Sequence, residues 1–523
     1  MKTKWIRLAS LLLAAVLLTG CAPAQQEPEE EQTETEEVQQ SMASDQVMED
    51  VEQLEVLRLA YQPTFGLDPY ETVSLCNRTI LSLIYEPLFQ ITGSFQAQPV
   101  LAQSIEVSAD GQTAVITLRP GVRFHDGSSL TAQDVAASYE KAKAGSYYGG
   151  RFGHILSVRA QEDGTVAVTA DTSMESVELL LDFPITKQSE EGLQEGTGPF
   201  RKTGAAQLEP FEQWWGEQAP LGVKWVELTA CNTTADIRDQ FEYGNVNLVC
   251  TDPNSSASAA YHSDSELWSC PTTVMQYIGF NQNTDVFKSN AIRSCVTYAI
   301  DREAIVMEEM GGFALPATLP ASPLAPCYNA GLADDYAYHP ATFRDILDEA
   351  QVLDYTGDGI RDIYVDGYPE SVGGTMIVNA VSTQRVLTAN RIAEDLNKLG
   401  FEITVKALDE EEYRYALSSG QYDLYYAEVR LAPNFDLSSF FRTYGSASYG
   451  GMADSLTLTL CGNMLENSGN AYDLHKQLME KGYLCPVLFK TYAVYTTRGA
   501  AGNLEPGPEQ VFLQKQEETP DKN

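Results

Sequence analysis

The chain has five histidines, His125, His154, His262, His339 and His475, and their spacing builds no recognisable catalytic or metal-binding pair. Neither H-x-x-x-H nor H-E-x-x-H occurs; the latter places two imidazoles on one helix face over zinc, with a glutamate as base. Ser446 and Ser448 stand among glycines in "YGSASYGG". That stretch is not G-x-S-x-G, and it lacks the strand-then-helix turn that exposes a serine nucleophile. The best metal candidate is "DYTGDGIRDIYVD". Asp354, Thr356, Asp358, Gly359 and Asp362 fall at positions 1, 3, 5, 6 and 9 of a calcium loop, with Gly359 at its sharp turn. Val365, however, stands where the bidentate glutamate should be, which removes two oxygens and much of the charge. "EGTGPFRKTG" is glycine-rich but has no G-K-[ST] end to put a lysine on phosphate. The expectation is therefore no catalytic residues, no metal and no cofactor: not an enzyme.

The bulk properties narrow the binding partner. Seventy-three acidic side chains face 34 lysines and arginines, a formal charge of −39. Nucleic-acid binding depends on cations that neutralise phosphate, so this balance argues against it. The charge accounts for solubility, and it is compatible with cationic ligands. An apolar fraction of 43% is that of a globular chain. The N-terminus reads as an export signal. Lys2, Lys4 and Arg7 precede the apolar run Leu8 to Leu18, which is too short for a relaxed membrane span of about 20 residues. It closes on Leu18-Thr19-Gly20-Cys21, which resembles a bacterial lipobox, so Cys21 is the expected lipidation site. Residues 22–50 are rich in Glu, Gln, Pro and Ser, with no Lys or Arg. Such a stretch buries too little to offset its ordering entropy and reads as a flexible tether. Eight other cysteines, wide and irregular in spacing, form no C-x-x-C pair. Disulfides and buried free thiols both remain open, since an extracytoplasmic location permits either.

Beyond the tether, the length calls for two or three domains. "EVLRLAYQ" alternates as a strand, and "NRTILSLIYEPLFQI" has apolar residues at helical spacing. Asp110-Gly111 and Asp126-Gly127 mark turns. "TAQDVAASYEKAKA" reads as a helix with Thr131 as N-cap and Asp134 in its first turn. "LTANRIAEDLNKLG" is amphipathic, with Leu387, Ile392, Leu396 and Leu399 near one face. Gly400 sits where a helix end favours positive φ. With "FEITVKAL" and "QYDLYYAEV" as strands, the alternation gives α/β layers.

Several segments occur in the order found in one known family. "GLDPY", "LIYEPLF", "VLAQSIEVSADGQTAVITLRPGVRFHDGSSLTAQDVAASYE" and "GTGPF" are followed by "WWGEQAPLGVKWVEL" and "YIGFNQNTDVFKSNAIRSCVTYAIDREAIV". Then come "FRDILDEAQVLDYTGDGIRDIYVDGYP" and "NRIAEDLNKLGFEITVKALDEEEYRYALSSGQYDLYYA". Together they span roughly residues 55 to 498. The chain resembles the extracellular solute-binding proteins of family 5, which feed bacterial peptide and nickel ABC importers. The resemblance implies a two-lobed α/β fold of the periplasmic-binding-protein type (type II), with an extra subdomain in lobe one. The expected divisions are a lipoprotein signal peptide at 1–20, a disordered acidic tether at 21–54, and lobe one at 55–272 with the extra subdomain at about 82–194. Lobe two is expected at 273–485, and a return to lobe one with a tail at 486–523. It also implies that His125 in "RFHDG" and the Gly-Asp-Gly segment are turns, and that Trp215 packs at the edge of lobe one.

The same resemblance implies function. Peptides are the expected ligands, held between short strands at Pro63-Thr64-Phe65 and Val429-Arg430-Leu431 by main-chain hydrogen bonds. In oligopeptide binders of the family, an Ala-Asp-Tyr triplet supplies the aspartate that pairs with the peptide's α-ammonium. Here "RLAPNFDLSSFF" puts Pro433 at that place, and proline cannot neutralise an ammonium. Asp436, three residues on, is the substitute anchor if the loop rearranges; otherwise it caps Ser438 or Ser439. Arg430 is a candidate for a ligand carboxylate or for a neighbouring acid. The ligand-binding set is thus Thr64, Phe65, Arg430, Leu431, Asn434 and Asp436. The expected partners are a peptide or other small solute, an ABC permease with its ATPase, and the membrane through a lipid anchor. The protein is expected to be a monomer on the outer face of the cell membrane. Two alternatives stay open: a non-peptide solute (metal chelate, haem or oligosaccharide), and a ligand-sensing lipoprotein without a permease.

Overall fold

The computed structural model describes residues 54–513, apart from 189–193, 218–220, 256–260, 263 and 503. Cys21, the signal segment, most of the acidic tether and the end of the tail lie outside the described residues.

Among the described residues the organising element is one mixed sheet of eleven strands. One half is built on Val56–Tyr61, which runs parallel to Trp225–Ala230 and to Leu248–Thr251. The other half is built on Gly373–Asn379, parallel to Glu402–Leu408 and to Leu424–Arg430. Two long antiparallel strands, Ser265–Phe280 and Leu484–Thr497, join the halves. Each half has its own core. Leu57, Leu59, Val226 and Leu248 pack with Tyr492 and Val494 in the first. In the second, the pleat sends alternate residues to opposite faces. Ile278 and Phe280 meet Ile392 and Leu396 on one side, while Met275 and Tyr277 meet Phe440, Leu474 and Leu478 on the other. The chain changes core between Cys270 and Met275 on the way out, and between Phe489 and Tyr492 on the way back. These are the two lobes.

A third core belongs to a four-stranded antiparallel sheet, Ala102–Val107, Thr113–Leu118, Val166–Ala170 and Ile155–Ala160. The helix Ala132–Ala144 covers it with Val135 and Tyr139. This is the extra subdomain. It touches lobe two: Phe95 packs edge-on against Phe435 with ring centroids 5.0 Å apart, and Leu465 of lobe two enters its core.

Local signals carry much of this. Gly111 turns the hairpin at φ +68°. Thr131 and Asp134 form a reciprocal capping box, which satisfies two N–H groups left unpaired at a helix start. The helix Thr383–Lys398 is amphipathic, but its buried face is Thr388, Ala389, Ile392, Ala393 and Leu396. Leu387 is 45% exposed. Of the expected stripe, Ile392 and Leu396 are buried and Leu399 packs partly buried against the same core, while Leu387 faces outward. Gly279 lies opposite Tyr425 in the ladder. A Cβ there would come within 2.0 Å of the Tyr425 ring, so only glycine admits that tyrosine between the sheet and its cover. Trp214 and Trp215 both donate to the buried Glu86, at 3.0 and 2.9 Å. Burial pushes that carboxyl up to about 7, although the indoles and Thr197 pull it down. The eight described cysteines are free thiols, all buried but the half-buried Cys327.

Candidate functional site

Where the chain leaves the strand Leu424–Arg430, Leu431 N–H still donates to Thr273 O across the ladder. The backbone then reverses through Ala432 to Phe435, with Phe435 at φ +54°, and enters the short helix Ser438–Phe441. Asp436 shapes that entry: its Oδ1 accepts from Ser438 N at 2.9 Å and from Ser438 Oγ at 2.6 Å. The turn faces lobe one and its extra subdomain across a cavity of about 640 Å³. Val429 to Ala432, Asp436, Ser438, Ser439 and Arg442 form the lobe-two wall. Tyr147, Arg151, Gly153, Asp252 and Tyr492 stand opposite.

Two charge clusters bridge the lobes. In the first, the buried Glu509 collects three guanidiniums: Arg78 at 2.6 Å, Arg151 at 3.6 Å and Arg430 at 3.9 Å. Tyr147 donates to the same carboxylate at 3.1 Å and lies under Arg78, which is 3.4 Å from its ring centroid. Burial pushes the Glu509 carboxyl up, but the three cations outweigh it and hold it below its ordinary value. Arg151 also pairs with Asp182 at 2.5 Å. Arg430 donates to the hydroxyls of Tyr147 and Tyr492, at 3.0 and 3.2 Å.

In the second cluster, His154 of the extra subdomain lies between two carboxylates. Its Nδ1 is 2.7 Å from Asp171 Oδ1, and its Nε2 is 3.4 Å from Asp436 Oδ2. Arg442 Nη2 is 2.9 and 3.1 Å from the two ring nitrogens. Their lone pairs diverge in the ring plane, so a single atom that near both lies over the ring. Burial pulls the His154 ring down, but Asp436 and Asp171 outweigh it and hold it above the ordinary imidazole value. Asp436 is held below its ordinary value: His154 and Ser438 overcome the effect of burial.

Ser438 Oγ, His154 Nε2 and Asp171 follow one another at 3.3 and 2.7 Å, the connectivity of a hydrolytic triad. The chemistry is not that of one. The serine proton is directed at Asp436 Oδ1, the hydroxyl belongs to a residue only 2% exposed, and carboxylates on both sides favour imidazolium. A serine nucleophile needs a neutral imidazole to take its proton.

The residues anticipated from sequence divide. Arg430, Leu431 and Asp436 line the cavity. Asn434 faces a separate cavity of about 290 Å³ on the other side of the loop, together with Pro433, Phe435 and Cys327. Thr64 and Phe65 are not among the lining residues. The strand expected at Pro63-Thr64-Phe65 is a 3-10 turn with Phe65 exposed; Pro63 at its first position fixes a helical φ. Asp354 and Asp362 direct their oxygens at backbone N–H groups of their own loop, and His125 bonds Gly198 O at 3.0 Å. Sequence reading missed His154, Arg442, Tyr147 and Glu509, none of which stands in a motif.

The His154 cluster makes the lobe contact pH-dependent. A histidine whose folded value is raised stabilises the fold fully below its ordinary value of about 6.5, and that contribution fades as pH rises through the folded value. His154→Gln should therefore cost about 1 kcal/mol at pH 5.5 and clearly less at pH 8.5, read by urea unfolding. An equal loss at both pH values would contradict the assignment.

The family model described as bacterial extracellular solute-binding proteins, family 5 Middle, matches residues 96–451, well over half of the chain. The glutathione-binding protein GsiB of Salmonella typhi is 26% identical over 370 residues, covering 66% of this chain and 67% of the relative. Among solved structures, NikA from Brucella suis in complex with Fe(III)-EDTA superposes with TM-score 0.68 at 20% identity, covering 87% of this chain and 98% of that one. The oligopeptide-binding protein AppA from Bacillus subtilis in complex with a nonapeptide gives 0.58 at 20%, covering 86% and 95%. With its two-lobed α/β fold and a cavity walled by both lobes, the chain belongs to the bacterial extracellular solute-binding proteins, family 5.

Proposed function

We propose that this protein is the extracytoplasmic receptor of an ABC importer, capturing short peptides by lobe closure and presenting them to a membrane permease. One observation carries the reading: the cavity of about 640 Å³ takes its walls from both lobes. A solute favours the closed state only by touching both sides, and closure removes it from water, which strengthens each polar contact inside. The volume lies in the range of about 300–1,000 Å³ usual for small-molecule sites. Peptide as the solute is supported by the relative named for glutathione, itself a tripeptide. No catalysis belongs to this reading, since Ser438, beside His154, has its proton directed at Asp436. Lobe one, expected at 55–272 with the return from 486, and lobe two, expected at 273–485, are the moving bodies, with the return crossing lying between Phe489 and Tyr492, where the buried side chains change core. The receptor acts as a monomer, anchored through a lipid on Cys21.

Two measurements test this. Mass spectrometry of protein purified without unfolding should find short peptides released from the cleft; a non-peptide solute in stoichiometric amount would overturn the peptide assignment. Cys21→Ala should move the protein from the membrane fraction to the soluble one. Unchanged retention would remove the lipid anchor.

A further inference from the structure

The reading above does not say which end of a peptide the cavity holds. The charged side chains on its wall answer through what each already touches. Asp436 accepts two hydrogen bonds from Ser438 on one oxygen and faces His154 with the other. Asp252 accepts from Asn254 N at 3.0 Å and pairs closely with Lys490. Both carboxylate side chains are only about one-fifth exposed, at 20% and 19%. Neither has an oxygen uncommitted for an incoming ammonium.

The guanidiniums differ. Arg151 is buried and already pairs with Asp182 and Glu509. Arg430 is 34% exposed, with Glu509 only at 3.9 Å and two tyrosine hydroxyls as partners. Arg442 stands apart: among the described residues no carboxylate lies within 4.0 Å of its guanidinium, whose close polar contact is Nη2 stacked over the His154 ring. A guanidinium offers five N–H donors in a planar fork that matches a carboxylate. The cavity therefore presents spare donors and no spare carboxylate.

Resting on the peptide-receptor reading, we propose that Arg442, assisted by Arg430, receives a carboxylate of the solute, so that the protein selects short peptides by an anionic group and not by their α-ammonium. The net charge of −39 does not oppose this. Surface charge is screened beyond about 8 Å at physiological salt, whereas two arginines on the cavity wall act at contact range. Pro433, at the place where the resemblance implies an ammonium-binding aspartate, fits a site that holds the other end.

The test is equilibrium ultrafiltration of the full chain with random tripeptides as free acids, C-terminal amides and N-acetyl derivatives, with retained species read by mass spectrometry. Retention of acids over amides by about tenfold or more, with acetylation tolerated, is the expected result for a terminal carboxylate. Amides retained only when they contain Asp or Glu would place the carboxylate on a side chain and equally support the proposal. Amides tolerated regardless of acidic content, with N-acetylation abolishing retention, would overturn it. No retained peptide of any kind would overturn the peptide reading and this inference with it. Arg442→Gln should abolish the discrimination between acid and amide, and Arg442→Lys should restore part of it. A folded Arg442→Gln protein, verified by its melting curve, that discriminates as the wild type does would remove Arg442 from the role.

Discussion

Two strands that belong to both lobes constrain everything else. Ser265–Phe280 and Leu484–Thr497 pair antiparallel along most of their length, and the ladder shifts register between Pro271 and Met275. At that shift Thr272 Oγ1 donates to Lys490 O at 2.7 Å, so the polar groups stay satisfied where the regular pattern breaks. On one side of the break the strands bury Cys270, Tyr492 and Val494 in the lobe-one core; on the other they bury Met275, Ile278 and Leu488 in lobe two. A shared pair of strands keeps the lobes connected while leaving each its own apolar interior. The cavity lies beside this place: Tyr492 is in its wall, and Arg430, paired with Val274, ends the adjoining strand.

The polar contacts across the cleft have a different character from the cores. Glu509 with Arg78, Arg151 and Arg430, and His154 with Asp171, Asp436 and Arg442, replace apolar packing with charges that need partners. Buried ion pairs add little net stability over apolar substitutes, yet breaking one by removing a partner is costly. They therefore suit an interface that must form in one register. Phe435 adds a geometric constraint: a non-glycine residue at positive φ, its ring held between Phe95 of the subdomain and Phe489 of the crossing strand. Such backbone strain persists only where its surroundings over-determine it.

How much of this is legible in sequence depends on the range of the interaction. Thr131 with Asp134, the Asp110-Gly111 turn and Gly400 at φ +98° are signals between near neighbours, and the chain follows them. Arg430, Leu431 and Asp436 could be placed because the family resemblance extends through the end of the strand Leu424–Arg430 and the loop after it. His154 and Asp436 lie far apart in the chain, as do Arg78 and Glu509, and no spacing rule reaches so far. Asn434 lies one turn from the cavity and on the wrong side of it, because Phe435 reverses the backbone between Asn434 and Asp436. Arg442 stands in no motif; its significance rests on the absence, among the described residues, of an acid within 4.0 Å of its guanidinium, which only three-dimensional placement reveals.

The central claim is that the two lobes move together around a bound peptide. Tyr243 in lobe one and Tyr415 in lobe two are 78% and 63% exposed, so spin labels on Tyr243→Cys and Tyr415→Cys, with Cys327→Ser, report the separation without entering either core. Pulsed electron resonance should show a broad distribution in peptide-free protein and a narrower, shifted one when retained tripeptide saturates the site. A distribution unchanged at saturation would contradict capture by closure.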